Sequence, residues 1–322
     1  MTMLPSSIRI KEEGPREGFQ FERGPIATAR KIDLINALSR TGLHTMQIVS
    51  FVNPQAVPGM ADAEAVVAGI TPQPGVAYKA LWFNEQGLQR ALATRRIDVT
   101  GSMSTSASVT FLQKNLKRSP QQQRAVNAEL IASYRAHGVP LERGTVMAAF
   151  GCNFEGDVAA GTVVAVVREL LELGQEQGAA IQSVSLADTM GWATPATIHR
   201  TVGAVREAFP DMPLELHLHD TRGMGIANAF AGLEMGIDRF DASVAGLGGC
   251  PFAGNSGAAG NVCTEDLVFL CEELGIETGI DLDALIECAR LAEDVVGHPL
   301  PGSVKTGGRL QTRRRRIAAK AS

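Results

Sequence analysis

The chain has no apolar run approaching the about 18 residues that a membrane-spanning helix needs, which argues against a place in the bilayer. Its N-terminal stretch, from Met1 to Ser7, lacks the charged start and apolar core of a secretory signal. Nor is there an excess of positive charge. Lys and Arg number 30 against 34 Asp and Glu, for a net charge of −4, so the field that nucleic-acid binding needs is missing. Cysteine is sparse: five residues (Cys152, Cys250, Cys263, Cys271, Cys288), odd in number and with no CxxC pair, exclude a disulfide framework and suggest a reduced, cytoplasmic setting. No low-complexity linker marks a domain boundary.

What is present is enough apolar material for one large core, 45% hydrophobic against 20% charged in 322 residues. Short β-branched or apolar runs alternate with longer helical patterns. Strands are predicted at 8–13, 45–49, 77–83, 96–103, 145–150, 181–187, 214–219 and 239–243. Apolar residues at three- and four-residue spacing predict helices at 28–40, 84–94, 121–136, 161–177, 195–208 and 226–235. Eight such units predict an α/β fold, a (β/α)8 TIM barrel in which parallel strands close on themselves. Helices at 264–274 and 282–296 extend it, so residues 1–306 read as one domain. The tail, 307–322, carries Arg313 to Arg316 in a row and reads as a basic, disordered end.

A barrel enzyme gathers its site at the C-terminal ends of its strands, and polar or glycine-rich groups recur there. The most informative is His217-Leu218-His219. Alternation along a strand turns Glu215, His217 and His219 inward and Leu214, Leu216 and Leu218 toward the helices. Two imidazoles at a strand end make half of a divalent-metal site, although an isolated pair fits a hydrogen-bonded interior equally well. Arg16-Glu17 follows the first strand, where a carboxylate would add a hard ligand and a guanidinium would stabilise an enolate; a surface ion pair is the plainer alternative. Cys250 follows Gly246-Leu247-Gly248-Gly249, a mobile loop that would bring a thiol over substrate, or merely a small residue in a turn.

Taken in order, the motifs resemble the 3-hydroxy-3-methylglutaryl-CoA lyase family over nearly the whole chain. They include Gly14-Pro15-Arg16-Glu17-Gly18, Ser50-Phe51-Val52-Asn53-Pro54, Ala187-Asp188-Thr189-Met190-Gly191, His217-Leu218-His219-Asp220-Thr221 and the loop ending Gly249-Cys250-Pro251, followed by Gly260-Asn261. The resemblance implies a metal held by Glu17, His217, His219 and Asn261, with Mg²⁺ or Mn²⁺ suited to that mixed oxygen and imidazole set. It implies a retro-Claisen cleavage giving acetoacetate and acetyl-CoA. Arg16 would steady the enolate, His217 or Asp188 would act as base, and Cys250 would supply a proton at carbon. Gln20, Gln47, Ser50, Asn84 and Lys114 are the candidate substrate contacts, with Asn84 and Lys114 toward CoA. The expected partners are a small acyl-CoA and a second copy in a homodimer, with neither nucleic acid nor membrane.

The chain also departs from the family pattern, which has Asp at Glu17, Glu at Gln47 and Cys at Leu218. The stretch after Cys250 is two residues longer and adds Asn255 as a rival ligand. These changes keep three alternatives open. One is a lyase for a related 3-hydroxyacyl-CoA, such as citramalyl-CoA or a longer branched hydroxyglutaryl-CoA. Another is a condensing synthase or aldolase, and the third is a barrel that binds acyl-CoA without turnover.

Overall fold

In the computed structural model of the chain, which describes residues 4–22, 24–249 and 260–321, eight parallel strands form one curled sheet with helices on its outer face. They are β1 (Arg9–Glu12), β2 (Thr45–Ser50), β3 (Ala77–Leu81), β4 (Gly101–Ser106), β5 (Leu141–Met147), β6 (Ser183–Ala187), β7 (Leu214–His217) and β8 (Arg239–Ala242). Their order is β3-β2-β1-β8-β7-β6-β5-β4. First and last strands pair, from Arg9 with Arg239 to Glu12 with Ala242, so the wall joins through the ends of the strand sequence. The two edges fall on β3 and β4, which are consecutive along the chain. Among the described residues no ladder joins them.

That seam is closed by side chains. The amide of Asp98 donates to the carbonyl of Tyr78 at 2.7 Å, and its Oδ2 accepts from the Tyr78 amide at 2.9 Å. On the other edge the helix Pro120–Ala136 supplies the partners. Tyr134 Oη donates to the Ser102 carbonyl at 3.0 Å and accepts from Trp82 Nε1 at 3.0 Å. Gln123 Nε2 and Asn127 Nδ2 both donate to the Ser104 carbonyl, at 2.9 and 3.0 Å. An open strand edge would leave its carbonyls unsatisfied; here buried side-chain donors stand where a ninth strand would be. Replacing Tyr134 by Phe removes one hydroxyl that serves two buried groups. It is expected to lower stability by about 1–3 kcal/mol, read as a lower denaturant midpoint at unchanged slope.

The strand periodicity behaves as alternation requires on β7: Leu214, Leu216 and Leu218 are buried under the helices, and Glu215, His217 and His219 line the bore. Two boundaries move. β4 begins at Gly101 and not near 96, because Asp98 turns away to bond Tyr78. β5 begins at Leu141, four residues ahead of 145, because its inward Arg143 belongs to an ion-pair network inside the bore and breaks the apolar pattern. The basic tail is not disordered as expected. Leu310–Ala321 is a helix, and Arg309 and Arg314 pair with Glu272 at 2.8 Å and Glu273 at 2.7 Å on the helix Thr264–Leu274. No helix among the described residues is long and apolar enough to cross a membrane.

Candidate active site

Directly after β1 the backbone makes a five-residue π-helical turn, Gly14–Gly18, a widened turn found mostly at functional positions. Pro15 presets its entry, and the amides of Arg16 and Glu17 both return to the Glu13 carbonyl, at 3.1 and 2.7 Å. Gly18 has to lack a side chain: a Cβ there would lie 2.3 Å from Leu247 Cγ. The buried Glu12 carboxylate anchors the turn from behind. It accepts from the amides of Gly14 at 2.7 Å and Val244 at 2.9 Å and from the Thr264 hydroxyl at 2.6 Å. Burial pushes the Glu12 carboxyl up to about 7, against the pull of these donors. The turn thus aims two successive residues, Arg16 and Glu17, into a cavity of about 670 Å³ inside the sheet.

Glu17 meets the two histidines there. Its Oε1 lies 3.8 Å from His217 Nε2 and 3.4 Å from His219 Nε2. The imidazole centroids are 5.1 Å apart with their planes at 63°, so both Nε2 atoms converge on one point near the carboxylate. The other ring nitrogens are held from outside: His217 Nδ1 lies 3.0 Å from Asp241 Oδ2, and His219 Nδ1 lies 3.0 Å from the Thr189 carbonyl. Acceptors at both Nδ1 atoms fix the rings and turn both Nε2 atoms toward Glu17, the orientation of metal-ligating histidines. Asn261 sits beside this point, 1% exposed and bridged through its backbone to His219. Its side-chain oxygen and nitrogen have no hydrogen-bond partner among the described residues. Buried amide atoms of that kind are costly unless something binds them. The donor set therefore fits a hard divalent cation.

Charge around the site is tightly paired. Burial works to raise the Glu17 carboxyl, but the Arg16 guanidinium, then His217 and His219, outweigh it and hold it below the usual carboxylate range. Asp241 is likewise penalised by burial and held well below its ordinary value by Arg143, Lys11 and His217. It stays ionised under the His217 ring. A second grouping of candidate ligands, Cys263, Glu265 and Asp266, is built into the fold. Asp266 accepts from the amides of Ser303 and Val304, and Glu265 from that of Ala245.

Of the residues singled out in the sequence, Arg16, Glu17, Gln20, Gln47, His217 and His219 line one cavity. Gln47 precedes a bulge in β2, and its Oε1 has no partner among the described residues. Ser50 is buried behind Gln20, its hydroxyl 3.5 Å from Gln20 Oε1. Asp188 stands behind the cavity wall: one oxygen accepts from the amides of Trp192 and Ala193, at 2.7 and 2.9 Å, and the other has no partner among the described residues. Burial raises its carboxyl, opposed by His219 and those amides. Two candidates lie outside the cavity lining. Asn84 does not line the cavity; its side chain caps the next helix, accepting from the Gly87 amide at 2.9 Å. Lys114 is exposed, its Nζ 4.7 Å from the centre of the Phe154 ring. Cys250 and Asn255 lie outside the described residues.

The sequence reading missed the inner charges. Glu13, 1% exposed, pairs with Lys11 at 2.9 Å and with the Arg16 guanidinium. Arg143 and Lys11 both reach Asp241, Lys11 at 3.3 Å. The odd charged positions of β1 and β5 were the available signal, since alternation places them inward.

Comparison with known proteins shows the family and the fold. The family model described as HMGL-like matches residues 7–292. The hydroxymethylglutaryl-CoA lyase YngG of Bacillus subtilis (strain 168) is 39% identical over 297 residues, 92% of this chain and 96% of that protein. A Pseudomonas aeruginosa protein named 3-hydroxy-3-isohexenylglutaryl-CoA/hydroxy-methylglutaryl-CoA lyase is 40% identical over 294 residues, 91% of this chain and 94% of that one. Among solved structures, an HMG-CoA lyase from Acinetobacter baumannii in complex with coenzyme A and 3-methylmalate has a TM-score of 0.84 at 40% identity. The match covers 96% of this chain and 97% of that chain.

Proposed function

The chain belongs to the HMGL-like family, and from that premise we infer that it is a carbon–carbon lyase cleaving 3-hydroxy-3-methylglutaryl-CoA to acetoacetate and acetyl-CoA. The observation that carries this reading is the convergence of Glu17, His217 and His219 on one point, with Arg16 beside them in the same cavity. Glu17, His217, His219 and Asn261 would hold the metal. Bound there, a divalent cation such as Mg²⁺ or Mn²⁺ would act as a Lewis acid that lowers the pKa of the substrate's tertiary hydroxyl.

The remaining chemistry falls to the chain's own groups. A base takes the hydroxyl proton, the C2–C3 bond breaks, a ketone forms at C3, and the electron pair moves onto the thioester as an enolate. The base is His217, which lines the cavity, or Asp188, which stands behind its wall with one uncommitted oxygen. The Arg16 guanidinium stabilises the enolate oxygen. Cys250, by resemblance, returns a proton to C2 and completes acetyl-CoA.

A longer branched 3-hydroxyglutaryl-CoA is the second reading. Phe21, Val57, Leu81, Trp82, Met103 and Leu116 give the same cavity an apolar side, which suits an extended C3 substituent. A cytoplasmic homodimer is part of the proposal. The deciding experiment is acetyl-CoA release from a panel of thioesters, with Mg²⁺, with Mn²⁺ and with chelator. Metal-dependent turnover of 3-hydroxy-3-methylglutaryl-CoA upholds the first reading. A higher kcat/KM for a longer-chain thioester moves the assignment to the second, and no release from any thioester sinks both.

A further inference from the structure

We propose that Glu13 is a positioning residue that aims the Arg16 guanidinium at the thioester oxygen, working from the place beside Gln47 on the neighbouring strand. The pairing of β1 with β2 runs Lys11 to Thr45 and Glu12 to Met46, so its next step sets Glu13 beside Gln47. Both side chains line the cavity. Glu13 is 1% exposed, and one of its oxygens takes Lys11 Nζ at 2.9 Å while the other accepts from Arg16 Nη2. Arg16 Nη1 lies 3.0 Å from Glu17 Oε2. The guanidinium is therefore held by two carboxylates, one at each terminal nitrogen, which fixes both its place and its plane. With Glu17 alone it would turn about a single contact, toward the metal ligands and away from the substrate.

A purely structural role for Glu13 would run through Lys11 instead. Lys11 has a second partner, Asp241 at 3.3 Å, so losing Glu13 does not strand that cation. The contact that Glu13 alone supplies among the described residues is the one to Arg16 Nη2. Gln47, neutral and with an oxygen that has no partner among the described residues, lines the same cavity as Arg16, and a carboxylate at this position is the substitution expected to take over the contact.

The inference rests on the lyase reading, which turnover by the unaltered enzyme tests by itself before any variant is compared. The experiment then measures kcat and KM, with Mn²⁺ affinity and thermal unfolding as controls, for Glu13→Gln, Arg16→Gln, the pair together, and Glu13→Gln with Gln47→Glu. Glu13→Gln is expected to lower kcat by about 10- to 100-fold at nearly unchanged Mn²⁺ affinity, as a misplaced catalytic group does. In the Arg16→Gln background the same change should cost almost nothing, since the group it positions is gone. Adding Gln47→Glu should return most of the lost kcat. Equal losses in both backgrounds, or a wild-type kcat in Glu13→Gln, overturn the proposal. If Glu13→Gln alone does not fold, the Glu13→Gln/Gln47→Glu protein decides: kcat near that of the unaltered enzyme upholds it, and a kcat more than about 10-fold lower overturns it.

Discussion

Glu17→Ala should abolish divalent-metal binding and lower kcat by roughly 10³-fold or more, the scale expected when Lewis-acid and electrostatic stabilisation are lost together. Among the described residues Glu17 is the one carboxylate within 4 Å of both Nε2 atoms, at 3.8 and 3.4 Å, so its removal takes away the anionic group of the proposed ligand set. Two neutral imidazoles and an amide would then have to hold a hard cation without charge neutralisation, which oxygen-seeking metals tolerate poorly. Calorimetric titration with Mn²⁺, beside the acetyl-CoA release assay, reads both effects. Unaltered Mn²⁺ affinity in Glu17→Ala would place the metal elsewhere and undo the ligand assignment.

Arg16→Gln separates binding from chemistry. Arg16 touches Glu13 and Glu17 but is no metal ligand, so Mn²⁺ binding should survive while kcat falls by about 10²- to 10³-fold, the cost of deleting one preorganised donor to a developing oxyanion. KM should change far less, because the interaction strengthens as the enolate forms. Glutamine preserves a polar tip but neither the charge nor the planar fork. Equal loss in kcat and in metal affinity would mean that Arg16 serves the ligands and not the substrate.

Much of this architecture was legible in the residue order. The βα alternation located all eight strands, and two-residue periodicity turned His217 and His219 to one side before any coordinate was known. The failures share a cause. Where the bore carries charge, as at Arg143, an inward position reads as polar and the strand pattern breaks. The tail's four successive arginines suggested disorder, yet Glu273, on a helix some 40 residues earlier in the chain, pairs with Arg314 of that run, and Glu272 beside it pairs with Arg309 just ahead. Contacts to backbone carbonyls, such as His219 Nδ1 on Thr189, carry no signature in the partner's identity. Asn84 and Lys114 fall outside the cavity lining because proximity to a strand end does not say whether a side chain turns into the bore or is claimed by the following helix.

The seam between β3 and β4 has an evolutionary reading. Everywhere else the circumference is fixed by backbone ladders, whose spacing of about 4.8 Å no substitution can alter. At the seam the edges are capped by Asp98 on β3 and by Gln123, Asn127 and Tyr134 on β4, and the lengths of those side chains are set by codons. Gln123 and Asn127 also line the cavity, together with Val126 and Leu130 of the same helix. A lineage under selection for a bulkier acyl group would find here the cheapest place to widen its chamber, a few point mutations on one helix, while the metal ligands on the opposite wall keep their register.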